Sequence, residues 1–167
     1  MATVTQTMPL DQILKCLTAL CREHYGKRLV SLAVFGSVGR GMPRPDSDVD
    51  FLLVVEDLPN GRMARSAEFA AVESSLAPDL AALTKIGLHP ELSPVFKTPA
   101  EIQQGSPLLL DMTDDARILY DRGDFLRREL QKFSQKLKKL GAQRVWQGNA
   151  WYWDLKPDYK RGEIIEL

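Results

Sequence analysis

Residues 32–55 read LAVFGSVGRGMPRPDSDVDFLLVV. An apolar run ends at Gly36-Ser37, ten residues rich in glycine, proline and arginine follow, and a second apolar run opens with Asp48-Val49-Asp50. Side chains alternate along a strand, so Asp48 and Asp50 point to one face and Val49 and Phe51 to the other. Two carboxylates side by side at the mouth of a buried strand repel each other and lose solvation, which costs several kcal/mol or forces one to protonate. A divalent cation removes the conflict. Mg²⁺ takes hard oxygen ligands, typically one or two carboxylates with phosphate oxygens and water. The pair is therefore a candidate metal seat that shares its ion with a phosphate.

The Gly-Ser turn supplies a partner for that seat. Gly36 lets the backbone leave the first strand without a Cβ clash. If SVGRG opens as a short helix, its free amides and the Ser37 hydroxyl face outward and hold an anion. Gly39 and Gly41 admit a phosphate close to the main chain, and Arg40 and Arg44 add guanidinium charge suited to phosphate oxygens. A phosphate cradle beside a metal seat describes a nucleoside triphosphate site. The bland alternatives are a solvated turn for Asp48 and Asp50, a helix cap for Ser37, and ordinary surface arginines at 40 and 44.

Outward from this stretch, residues 9–25 carry apolar side chains at helical spacing, with Gly26 ending the run. RLVSLAVF reads as a first core strand, and VDFLLVV as a second, apolar on both faces and therefore central. Residues 62–76 read as a helix halted by Pro78. KIGLHPELSPVF reads as a third strand that Pro90 and Pro94 push to an edge. Thr98, Pro99 and Glu101 form a capping-box signature, SPLLLDMTDDA a further helix, RILYD a short strand, and residues 124–140 a long helix. The order predicts an α/β (α+β) domain, a small mixed sheet with helices packed on it, spanning 1–167 as one unit with a core at about 28–120.

The 167 residues carry zero formal net charge, which gives no global pull toward nucleic acid or anionic membrane. No apolar run is long enough for a membrane span, and the first ten residues lack a signal-peptide layout. Cys16 and Cys21 sit five apart on one helix, a spacing that suits neither a mutual disulfide nor a metal clip. A cytoplasmic location is the default expectation.

Gly36-Ser37, ten residues, then Asp48-Val49-Asp50 resembles the signature of the DNA polymerase β-like nucleotidyltransferase superfamily, and the SDVDF context is most similar to its minimal nucleotidyltransferases. One departure is Gly39, where the family more often has alanine; the expected effect is on loop flexibility. The resemblance implies attack of a substrate hydroxyl on the α-phosphate of a nucleoside triphosphate, with release of pyrophosphate. It implies Mg²⁺ at Asp48 and Asp50, with two ions when nucleotide is bound, and ATP as co-substrate. It also implies a third carboxylate on a neighbouring strand, for which Glu91 is the candidate and His89 a reserve for proton handling.

The acceptor implied is a macromolecular hydroxyl, because relatives that modify small molecules or RNA usually add a substrate domain. A HEPN-type helical protein is one implied partner, adenylylated on tyrosine in an antitoxin role; a homodimer is another. The competing class is a catalytically weak nucleotide-binding module that regulates or neutralises a partner. A third reading, RNA binding, rests on the basic back of the long helix and on the aromatics of residues 146–159; the bland reading makes those a solvated helix face and a tail nailed to its own domain. Asp111, Asp114 and Asp115 read as a solvated acidic face.

Overall fold

The computed structural model describes residues 4–148 and 150–167. The chain runs α1 (Val4–Tyr25), β1 (Leu29–Val34), α2 (Gly36–Gly39), β2 (Val49–Val55), α3 (Arg62–Thr84), β3 (Leu92–Lys97), α4 (Pro99–Gln103), α5 (Leu108–Asp115), β4 (Arg117–Asp121), α6 (Phe125–Leu140), β5 (Gln143–Gln147) and β6 (Ala150–Asp154). The main sheet has the order β3-β2-β1-β4. β1 is antiparallel to β2 and β4, and β2 is parallel to β3, so the sheet is mixed as its sequence predicts. β5 and β6 form a separate antiparallel hairpin.

The alternation along β2 divides the core. Val49, Phe51, Leu53 and Val55 pack with α1 and α3, including Leu17, Phe69 and Leu76. Leu52 and Val54 pack on the other face with Ile102 of α4, Met112 of α5, and Leu126 and Phe133 of α6. β1 and β2 are the two inner strands, and every residue of β1 is buried. A strand that is covered on both faces must be apolar on both. Asp48 and Asp50 precede Leu52 on the α4–α6 face, at the end where β2 begins.

Three expectations need correction. α3 does not stop at Pro78 but continues to Thr84. Pro78 costs the helix one amide, yet Ser74, whose carbonyl would have been its partner, is solvent-exposed, and buried Leu83 holds the later turns to the core. The third strand is shorter than read: Gly87 turns at φ 82°, and pairing starts only at Leu92. It is an edge strand, blunted by Pro94, which has no N–H, and by Arg65, which donates to the Phe96 carbonyl at 3.1 Å. α1 starts at Val4, ahead of Pro9, which costs the helix the one amide bond that would reach the Thr5 carbonyl.

Local chemistry fixes the remaining corners. The capping box forms: the Glu101 amide donates to Thr98 Oγ1 at 3.2 Å and Glu101 Oε2 accepts from the Thr98 amide at 2.8 Å. Asp121 accepts from the Leu126 and Arg127 amides at the start of α6 and from the buried Ser31 hydroxyl of β1. It therefore pins the helix to the centre of the sheet. Among the described residues no helix is long and apolar enough to cross a membrane. Cys16 and Cys21 are both free thiols.

Candidate active site

Chain reversal at Gly36 brings the two apolar runs of the opening stretch together as neighbours. The Phe35 amide donates to the Asp50 carbonyl at 2.9 Å, which ties the exit of β1 to the entry of β2. Gly36 then turns with φ 63°, in the left-handed region that favours glycine. A β-carbon built there would lie 2.6 Å from Asp50 Oδ2. Glycine is required twice at this position, once for the turn and once to leave room for the carboxylate.

Asp50 is half-buried and Asp48 exposed. The Asp50 carboxyl is held above its ordinary range, first by desolvation and further by the charge of Asp48, while the Ser93 hydroxyl and the Arg40 guanidinium pull it back. Repulsion between the two acids is thus present and only partly relieved. Ser93 is the β3 residue paired in register with Asp50. Nothing in the sequence marks Ser93; its place follows from where β3 begins.

Arg40 and the α2 turn stand on the other side of Asp50. The first amides of a helix have no intrahelical acceptor, so the Gly36, Ser37 and Val38 N–H groups are available at the turn, with the Ser37 hydroxyl on it. Arg40 donates Nη1 to Asp115 Oδ2 at 2.9 Å. Arg44 is exposed further along the loop, in a local turn where its amide donates to Ser47 Oγ at 2.7 Å.

Gly39 corrects an expectation. An added β-carbon would lie 2.2 Å from the Asp115 carbonyl and 3.0 Å from that of Val34. The glycine is a close-packing residue that lets α2 sit against the end of α5, rather than a source of loop flexibility.

Asp115 is the residue that sequence reasoning missed. Its side chain is only 6% exposed and faces two guanidiniums, Arg40 and Arg144. Asp111 is also withdrawn from solvent: burial raises its carboxyl, and the Trp153 indole N–H lies close by, short of good hydrogen-bond geometry. Of the acidic trio only Asp114 is well exposed, with Arg144 3.7 Å away. The solvated-face reading fails because the partners come from residues 40 and 144, distant in sequence.

Glu91 and His89 lie outside any strand and are exposed. Their backbones serve the loop instead: the Glu91 carbonyl accepts from Val49 and the His89 amide donates to Pro45, both at 2.7 Å. Among the described residues no group of three His, Cys, Asp or Glu side chains is placed to hold a metal ion. What the fold does gather is two carboxylates, a serine hydroxyl and an amide-rich turn. Such a set suits Mg²⁺ that completes its oxygen shell with phosphate and water, and Asp48 and Asp50 are the residues that would hold it.

Comparison with known proteins agrees with this chemistry. A family model described as nucleotidyltransferase domain matches residues 13–145. The chain is 27% identical over 133 residues to a Methanocaldococcus jannaschii protein provisionally named a protein adenylyltransferase, covering 78% of this chain and 85% of that one. Its fold is similar to that of a spectinomycin adenyltransferase from Enterococcus faecialis, solved with ATP and spectinomycin, at a TM-score of 0.51 and 15% identity over 77% of this chain and 67% of the other. A chain from the Shewanella oneidensis complex of a tri-AMPylated HEPN toxin with an MNT antitoxin aligns at a TM-score of 0.44 and 13% identity, over 78% and 92% of the two chains.

Proposed function

The chain belongs to the nucleotidyltransferase domain family, and on that premise we propose that it transfers AMP from ATP to a hydroxyl group of a protein. The observation that carries this reading is the only partly relieved Asp48–Asp50 pair, with Asp50 packed against a left-handed glycine where an added β-carbon would lie 2.6 Å from its carboxylate. A structural ion pair would have been given a cation from the chain; this one is arranged to receive a cation from solution.

In the proposed reaction the acceptor hydroxyl gives up its proton to solvent as its oxygen attacks the α-phosphorus, the bond to the bridging β-phosphate oxygen breaks, and pyrophosphate leaves. Ser37 and the amides of the α2 turn hold the outer phosphates, which sets the α-phosphate beside Asp48 and Asp50. Arg40 adds donors to those phosphates, and Gly36 keeps the carboxylate and the turn in contact. Bound Mg²⁺ supplies charge neutralisation and polarises the phosphoryl oxygens. The name of the archaeal relative supports a protein acceptor. A groove of about 490 Å³ runs along β3, lined by Arg62, Ser93 and Lys97 among others, and includes the serine paired with Asp50. A helical HEPN-type protein, the partner implied by the sequence resemblance, is the first acceptor to try.

The test uses ATP labelled at the α-phosphate, Mg²⁺ and candidate protein acceptors. Label passed to protein by the wild type and lost in Asp50→Ala supports the proposal. Nucleotide uptake without pyrophosphate release from any acceptor mixture would favour a binding module, and label appearing on RNA would move the acceptor to another class.

A further inference from the structure

The C-terminal hairpin reaches the phosphate turn through one buried carboxylate. Arg144, on β5, is 13% exposed; it faces Asp115 at 3.4 Å and lies over the rings of Trp151 and Trp153 at 4.3 and 5.4 Å from their centres. All three of these residues stand on one face of the hairpin, since Arg144 pairs with Trp153 and Trp146 with Trp151. Asp115 in turn holds Arg40, and its carbonyl lies against Gly39. Most of the hairpin lies beyond the residues that the family model matches.

A free arginine side chain loses considerable rotamer entropy when it clamps a phosphate. Arg40 is anchored beforehand: one of its five N–H donors goes to Asp115, and the remaining four stay available on a side chain that is 35% exposed. Asp115 could not do this alone, because one buried carboxylate beside one arginine would simply be a closed pair. With Arg144 sharing the carboxylate, the charge of Asp115 is divided between two guanidiniums, so Arg40 is anchored without being closed into a private pair. We infer that Asp115 and Arg144 are positioning residues for the triphosphate: they hold Arg40 oriented toward the outer phosphates and make the β5–β6 hairpin a part of the nucleotide site. The inference rests on the function proposed above.

The test is a pair of double-mutant cycles read as Mg-ATP uptake by calorimetry, on proteins first checked for cooperative unfolding. Arg40→Ala and Asp115→Asn should each weaken binding about tenfold, and the double variant should bind no more weakly than Arg40→Ala alone. Asp115→Asn leaves two guanidiniums facing each other and could fail to fold. Arg144→Lys is therefore the second arm; it preserves charge but removes the planar fork and the stacking. It should weaken ATP uptake about threefold in the wild-type background and have no effect in the Arg40→Ala background. AMP, which lacks the outer phosphates, should bind all the variants equally. Effects that multiply in the double variants, or single variants that bind ATP as the wild type does, would overturn the inference. A wild type that takes up no nucleotide overturns the functional reading as well; a wild type that binds beside an Asp115→Asn that binds equally overturns this inference alone.

Discussion

Asp50 and Glu101 are carboxylates on the same sheet-and-helix layer, and they live under opposite conditions. Glu101 accepts from Arg65 Nη1 and Nη2 at 2.9 and 3.0 Å and from the Thr98 amide at 2.8 Å, and these donors hold its carboxyl below the usual range, Arg65 most of all. Asp50 has one serine hydroxyl and a distant arginine against burial and a second acid, and its carboxyl is held above the usual range. One group is complete within the chain and fastens α3, β3 and α4 together. The other is left incomplete at a place the fold takes care to keep open. The proposed function turns on this contrast: Glu101, which the chain satisfies, is part of the frame, and Asp50, which the chain crowds and leaves short, is the carboxylate proposed to take a ligand.

The largest effect should come from exchanging the two roles. Asp50→Asn is expected to lower AMP transfer by at least about a hundredfold, the scale at which loss of a transition-state charge contact acts, while the protein stays folded. Glu101→Gln is expected to keep the transfer rate per folded molecule within about twofold. Comparable losses of rate in both would break the distinction between them.

Gly36→Ala is the next largest. Its β-carbon would be driven into Asp50 Oδ2 from a backbone at φ 63°, so both the turn and the carboxylate must shift. A misplacement of about 1 Å costs up to about a hundredfold in rate, and the strained backbone about 1–2 kcal/mol in stability. Transfer assays with urea unfolding separate the two losses, and an active Gly36→Ala would show that Asp50 has more room than its surroundings indicate.

Stability as a function of pH sharpens the comparison further. Glu101, with its folded value depressed, contributes stability that is complete above the ordinary glutamate pKa of about 4.3 and is lost as pH falls through the lower folded value. Asp50, with its folded value raised, contributes below the ordinary aspartate pKa of about 3.9, and that contribution is lost as pH rises through the higher folded value. At pH 7, then, Glu101→Gln should lower Tm by about 3–6 °C, about 1–2 kcal/mol once its partial exposure is allowed for. Asp50→Asn should raise Tm by roughly 1–3 °C. Both differences should shrink on acidification toward pH 3. Tm curves from the two variants that run parallel across that range would remove the electrostatic basis of the contrast.

Sequence alone made the frame legible wherever the cause was local. Thr98 and Glu101 are three residues apart and cap their helix as written. The burial pattern of β2 and the buried seam of Leu126, Phe133 and Leu137 in α6 follow directly from their spacing. The Gly36-Ser37 and Asp48-Asp50 motif was legible because one turn folds it back on itself. What escaped depends on pairings that spacing does not encode. Asp115 looked solvated because its cations are 75 and 29 residues away. Gly39 looked flexible because the carbonyl pressing on it belongs to α5. Pro78 looked terminal because the exposure of Ser74 is a tertiary fact, and the aromatic tail gave no sign that Arg144 would organise its tryptophans.

The finest distinction concerns what stands across β3 from Asp50. Glu91 was the sequence's candidate, but it is exposed one residue ahead of the strand, and its polar backbone is occupied with Val49. Ser93 takes the paired position, and its hydroxyl lowers the Asp50 carboxyl. Removing that donor in Ser93→Ala leaves burial and Asp48 less opposed, so Asp50 should hold its proton to higher pH. The acid limb of the transfer pH profile should then move upward, by about one pH unit for the loss of one hydroxyl donor to an ionised carboxylate. Glu91→Gln should leave that limb in place and change the rate by less than about twofold, as surface substitutions do. If instead Glu91→Gln shifts the limb and Ser93→Ala does not, the third group at the site is a carboxylate that closes in with the nucleotide. The register of β3 would then position that loop rather than the serine.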